Sequence, residues 1–293
     1  MHAMPLPRRL REARSQSDDP GFVAWVNALP RVVAAVATRW QLDLGAPFEP
    51  GGRCSWVAPA DDPSGRDLVV KLGWPHDEAG HEPDALRLWD GFGAVRLHAA
   101  EMIGSTCALL LERCRPGTSL ETVDDVQQDV VIAGLLHQLW VSPPAGHPFR
   151  PLAAMCRGWA AEFEQRLTTP AAAGLDTGLL RAAVAVLREL PGTTTDSVVL
   201  CTDLHAGNVL AADRAPWLAI DPKPYIGDPA YDPVQHLLNH DQRLTVDAAG
   251  VTGRLAGLLD IDVARLRLWL FARCAQEALD QPELIDIAAE LAP

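Results

Sequence analysis

The spacing of apolar residues changes along the chain, and each change marks an element. After a polar, charged lead, GFVAWVNALPRVVAAVATRWQL carries apolar residues at helical spacing and is interrupted by Pro30, which predicts a broken amphipathic helix. From Phe48 the period shortens. Turn signals at PGG and DDPSG separate the runs CSWVAPA and DLVVKL, as in a hairpin, which puts Lys71 near the end of a strand. PHDEAGHEPDALRLWDG is helical in its second half, and AVRLHAAEM and TCALLLERC read as two more strands. Residues 48–115 are therefore expected to form an antiparallel sheet with one helix.

Past RPGTS the pattern becomes helical in DDVQQDVVIAGLLHQLW, LAAMCRGWAAEFEQRL and TGLLRAAVAVLREL. Short strands and loops interrupt it in SVVLCTDLHAGNVLAADRAPWLAIDPKPYIGDPAYDP, and helices resume in VARLRLWLFARCAQEALD. The expected layout is a disordered lead over 1–20, a β-rich N-terminal lobe over 21–115 and a helical C-terminal lobe over 116–293. No internal repeat is visible.

Composition adds limits. With 48% hydrophobic and 22% charged residues, the 293-residue chain is of ordinary globular composition. No apolar run is read as reaching the roughly 18 residues of a membrane span, and no apolar stretch follows the N-terminal arginines as in a signal peptide. A cytoplasmic protein without a membrane partner is expected. A net charge of −13 argues against a nucleic-acid partner and suits a cationic small molecule. The six cysteines have no CxxC pair and are expected to be free thiols. Only two of the 25 basic residues are lysines, Lys71 and Lys223. A compact ammonium is not interchangeable with arginine's planar fork, so both are candidate site residues.

The chemistry concentrates in CTDLHAGNVLAADRAPWLAID, where NVLA and WLAI read as a hairpin. A turn centred on residues 213–216 places Asn208 directly opposite Asp221. A carboxamide oxygen and a carboxylate so placed suit Mg²⁺, which takes few protein oxygens and completes its shell with phosphate. Asp203, on the loop entering the hairpin, is placed to accept a proton from a hydroxyl. The spacing D-x-x-x-x-N, with a later Asp on the partner strand, matches a kinase catalytic loop and its metal-binding aspartate. His205 is expected to steady the loop by hydrogen bonding. Gly51, Gly52 and Ser55 form the candidate phosphate-covering turn, because missing side chains let backbone N–H groups approach an anion. Lys223, Asp228 and Asp232 fall where a kinase's acceptor lies, although Asp228 equally suits a helix cap. Glu277 on the last long helix is a further candidate for the acceptor pocket.

The run TDLHAGNVL…PWLAIDPKPYIGDPAYD resembles the signature of aminoglycoside phosphotransferases, in the branch holding streptomycin 6-kinases and hydroxyurea phosphotransferases. The resemblance extends to LVVKLGWPHDE…ALRLWDGFGAVRL and ALLLERCRPGTSL and spans most of residues 22–280. It implies that Asp203 is the catalytic aspartate, Asn208 and Asp221 the metal ligands, and Lys71 the lysine on the nucleotide's phosphates. It also implies that Leu111–Cys114, with Glu112 and Cys114, is the hinge whose backbone meets adenine. The family usually has His-Gly before the aspartate, whereas Cys201-Thr202 stands here. Either Glu78 or Glu82 can pair with Lys71, with Glu82 preferred.

The expected fold is α+β, a bilobal protein-kinase-like arrangement with ATP in the cleft, and the expected activity is transfer of its γ-phosphoryl group to a small hydroxylated acceptor. A streptomycin-like aminoglycoside or hydroxyurea is the expected acceptor. The alternatives are a housekeeping kinase of a sugar, amino alcohol or other metabolite, and a nucleotide-binding pseudokinase.

Overall fold

Residues 5–75, 80–239 and 241–293 are described in the computed structural model. The chain divides into two units, Met1–Gly117 with Ala212–Pro216, and Thr118–Ala211 with Trp217–Pro293.

Unit 1 is built on five antiparallel strands, β1 (Asp43–Leu44), β2 (Ser55–Asp61), β3 (Asp67–Gly73), β4 (Leu97–Ile103) and β5 (Thr106–Glu112), in the order β1-β2-β3-β5-β4. Alternation gives each face its task. Trp56, Ala58, Ala60, Leu68, Val70 and Leu72 are buried in one core with residues of α1 (Arg8–Gln16) and α2 (Pro20–Trp40). Lys71, between Val70 and Leu72, lies on the opposite face and meets α3 (Glu82–Trp89).

Three expectations for the N-terminal region fail. The lead is not disordered throughout, because α1 forms within it and buries Leu10 completely. Pro30 does not break the following helix, since α2 runs continuously through it for 21 residues. A proline inside a helix costs about 3 kcal/mol, and burial of Phe22, Trp25, Val26, Leu29 and Val36 on one face offsets it at roughly 1.5–3 kcal/mol each. Uninterrupted, α2 contains an 18-residue stretch with a mean hydropathy of 1.4 and is long and apolar enough to cross a membrane by length and composition alone. The apparent break at Pro30 hid this.

Unit 2 holds α4 (Asp125–Leu139), α5 (Leu152–Arg166), α6 (Thr177–Glu189), α7 (Val234–Leu238), α8 (Asp241–Leu259, kinked at Asp247), α9 (Val263–Glu277) and α10 (Leu284–Leu291). Helix α9 is its centre: Leu266, Trp269, Leu270, Phe271, Ala272, Cys274 and Ala275 are buried nearly all round it, as befits a core helix. Strands β6 (Arg150–Pro151), β7 (Val198–Leu200) and β10 (Tyr225–Gly227) form a small sheet in the order β6-β10-β7, and β8 (Val209–Leu210) pairs with β9 (Leu218–Ala219). A buried ionic cluster ties α4 to α7 and α8. The Asp129 carboxylate meets His236 Nε2 at 3.0 Å, Arg243 at 2.6 Å and Arg254 at 3.1 Å. Burial opposes its ionisation, yet hydrogen bonds from His236 and Arg243 prevail and hold its carboxyl down at about 2. All six cysteines are free thiols.

Candidate active site

Unit 1 supplies a cation. Lys71 pairs with Val57 and Leu109 across β3, so two neighbouring strands fix its backbone. Its ammonium lies 2.7 Å from each Glu82 oxygen, and both side chains are nearly buried. Glu82 opens α3, where the helix N-terminus favours negative charge. Glu78, the other candidate partner, lies outside the described residues.

The remaining unit 1 candidates divide. Gly51 has a φ of +74°, and an added Cβ there would come within 2.4 Å of Pro7, so close chain approach alone requires glycine. A Cβ on Gly52 would lie 2.6 Å from Ser55 Oγ, which places that hydroxyl over the turn. Glu112 has its carboxylate and its N–H engaged. Its carboxylate takes Arg214 at 2.8 and 2.9 Å, and its N–H donates to the Arg96 carbonyl at 2.9 Å. No sequence pattern marked Arg214 as its partner. Cys114 is buried, and burial pushes its thiol up to about 11, so its side chain is an inert neutral group; only its backbone suits a nucleotide base.

In unit 2 the candidates are mainly carboxylates. Strand β7 ends at Leu200, and the chain then turns through Thr202 at a φ of +52° before reaching Asp203. A β-branched residue in this region is strained by about 1–3 kcal/mol. Its N–H donates to Asp232 Oδ1 at 2.6 Å, and its hydroxyl donates to the Lys223 carbonyl. Asp203 Oδ2 lies 2.9 Å from Lys223 Nζ, while Oδ1 accepts no hydrogen bond among the described residues. Lys223, expected at the acceptor, therefore sits on Asp203. Downstream, His205 Nδ1 accepts from the Gly207 N–H at 3.1 Å and braces the loop, and burial lowers its imidazole below the ordinary value.

The hairpin register differs from expectation by one residue. Val209 pairs with Ala219 and Leu210 with Leu218, and the Ile220 N–H donates to the Asn208 carbonyl at 2.9 Å. Asn208 thus faces Ile220, not Asp221. A one-residue slip in a regular strand would turn the side chain to the other face. Here Asp221 adopts a φ of +53°, so strand alternation has already ended when the chain reaches it. Asn208 Nδ2 donates to the Asp203 carbonyl at 3.0 Å, which leaves its amide oxygen as the donor for a cation. Carboxamide and carboxylate oxygens are hard ligands that fit Mg²⁺.

Asp228 and Asp232 are not offered to an acceptor. Asp228 caps the turn at Pro229–Tyr231 through the Ala230 N–H, and its Oδ2 takes Arg265 at 2.6 Å and Trp269 Nε1 at 2.5 Å. Asp232 is fully buried and accepts from the Cys201 and Thr202 N–H groups and from Trp140 Nε1. Burial pushes its carboxyl up to about 6 against those three donors. Both hold the loop together from within. Glu277 pairs with Arg273 at 2.7 Å, and the Arg273 guanidinium lies 4.2 Å from the Trp159 ring centroid.

The chain is 36% identical over 292 residues to a hydroxyurea phosphotransferase from Kitasatospora aureofaciens, covering 97% of this chain and 82% of that one. It is 37% identical over 263 residues to a streptomycin 6-kinase from Streptomyces glaucescens, covering 87% and 84%. An aminoglycoside phosphotransferase from Streptomyces rimosus, solved with ADP and streptomycin, shares the fold at a TM-score of 0.56 and 17% identity, covering 86% and 98% of the two chains. The family described as aminoglycoside/hydroxyurea antibiotic resistance kinase matches residues 39–283. The chain belongs to that family and is a small-molecule phosphotransferase of protein-kinase-like fold.

Proposed function

We propose that this protein transfers the γ-phosphoryl group of ATP, with Mg²⁺, to a hydroxyl of an aminoglycoside or of hydroxyurea, in the cytoplasm where ATP is supplied. The observation that carries the reading is Asp203, held through one oxygen by Lys223 and through its carbonyl by Asn208, with its second oxygen left to accept a proton. Lys71, steadied by Glu82, would bind the nucleotide's phosphates, as would backbone N–H groups at Gly51, Gly52 and Ser55. Cys114 would offer its backbone to the base. Asn208 and Asp221 would hold Mg²⁺, which when bound neutralises charge on the phosphates. Catalysis then rests on positioning and on charge neutralisation.

One observation favours the neutral acceptor. Asp228, Asp232 and Glu277 were the carboxylates expected near the acceptor; the first two are buried and engaged, and Glu277 is paired with Arg273. Hydroxyurea carries no charge and needs none of them. A transfer screen against hydroxyurea, streptomycin and amino sugars at several ionic strengths tests this. Transfer to hydroxyurea with a KM that does not move with salt is expected. A streptomycin KM that rises clearly toward about 0.1 M salt, where exposed pairs are screened beyond about 10 Å, restores the cationic acceptor. Transfer to a sugar or amino alcohol alone indicates a housekeeping kinase, and nucleotide binding without transfer indicates a pseudokinase.

A further inference from the structure

Lys223 is two residues beyond Asp221 in the chain, yet three bonds tie it to the loop that carries Asp203. Its N–H donates to the Cys201 carbonyl at 2.9 Å, its carbonyl accepts the Thr202 hydroxyl, and its ammonium meets Asp203 Oδ2 at 2.9 Å. The second bond requires a hydroxyl at position 202, in a left-handed conformation where glycine is the unstrained choice. Strained residues persist where their surroundings over-determine them. Here the Asp232 carboxylate holds the Thr202 N–H, a bond glycine would keep equally well. Of the bonds made by Thr202, the one from its hydroxyl is the one that reaches Lys223.

We propose that Lys223 is a positioning residue for the base and that Thr202 is the clasp that keeps it in place. With Nζ on Oδ2, the carboxylate cannot turn freely, and Oδ1 is the oxygen presented to the acceptor. In the transfer step the acceptor O–H breaks and its proton passes to Oδ1. The acceptor oxygen bonds to the γ-phosphorus, and the bond from that phosphorus to the bridging oxygen breaks, releasing ADP. Lys223 touches none of the reacting atoms and fixes which carboxylate oxygen does. The inference rests on Asp203 being the base.

Steady-state kinetics and thermal unfolding of full-length variants test it, with the acceptor found by the transfer screen. Lys223→Met should lower kcat about 10- to 100-fold, the penalty for a misplaced reacting group, with KM for ATP and acceptor within about twofold. Lys223→Arg should recover only part of the loss, since the charge returns but a planar fork replaces the compact ammonium. Thr202→Ser should match the parent, whereas Thr202→Gly should lower kcat while its Tm stays level or rises, because backbone strain is relieved as the clasp is lost. A parental kcat in Lys223→Met overturns the proposal, as does a change confined to KM. If Lys223→Met does not fold, Thr202→Gly decides: a stable protein with lowered kcat supports the clasp, and a parental kcat removes it. Asp203→Asn in the same assay separates the two readings. Retained activity there removes the base itself, whereas an inactive Asp203→Asn beside a fully active Lys223→Met removes only the role of Lys223.

Discussion

Lysine occurs twice in this chain, once in each unit, and the two sites hold their carboxylates differently. In unit 1, Lys71 lies 2.7 Å from both oxygens of Glu82, with side chains 10% and 5% exposed. In unit 2, Lys223 lies 2.9 Å from one oxygen of Asp203, with side chains 30% and 18% exposed. The first pair sits where strand and helix backbones hold both partners, so it fixes a cation in place. The second sits on loops and leaves one oxygen uncommitted, which suits a group that must take up a proton. The same two functional groups therefore engage both carboxylate oxygens in one unit and one oxygen in the other, according to burial and the number of contacts.

That contrast predicts different penalties. Lys71→Met takes the ammonium away from both oxygens of the buried Glu82 carboxylate and should destabilise the protein by about 3–5 kcal/mol in urea unfolding. Adding Glu82→Leu should return much of that stability, since a buried pair replaced by apolar groups is often neutral. A wild-type unfolding midpoint in Lys71→Met would break the comparison.

Asp129 extends the comparison to a carboxylate with several cationic partners. Its carboxyl is held at about 2 against an ordinary 3.8, so its contribution of roughly 2 kcal/mol is fully present above pH 3.8 and is lost as pH falls through about 2. Asp129→Asn should be less stable at neutral pH and should lack that segment of the acid-unfolding curve. An unchanged acid limb would show that the cluster is not what holds α4 to α8.

The smallest stability effect belongs to Lys223. Because water can replace a partly exposed partner, Lys223→Met should shift unfolding by no more than about 1 kcal/mol, whatever its effect on turnover. A loss as large as that of Lys71→Met would erase the distinction between the two sites.

The sheet of unit 1 and the long helices were legible because period and turn residues are local signals. The D-x-x-x-x-N spacing was legible for the same reason. What escaped depends on partners far along the chain. Asp228 and Asp232 look like acceptor ligands until Arg265, Trp269 and Trp140 are seen to occupy them. The Glu112 N–H looks available until it is seen bonded to the Arg96 carbonyl. Pro30 reads as a break because sequence weighs propensity without the buried face that overrides it. The hairpin register slipped by one because turn composition does not fix where pairing begins, and the left-handed turn at Asp221 leaves no sequence trace.

The central claim is that Asp203 is the base of a phosphoryl transfer to a small hydroxylated acceptor. Its most direct test is transfer of label from γ-labelled ATP with Mg²⁺ to hydroxyurea and to streptomycin, by the parent protein and Asp203→Asn side by side. Labelled acceptor is predicted from the parent, with at least about a hundredfold slower turnover in the variant at little-changed ATP affinity, since removing a general base costs about 10²–10⁴. Transfer by Asp203→Asn at close to the parental rate would contradict it.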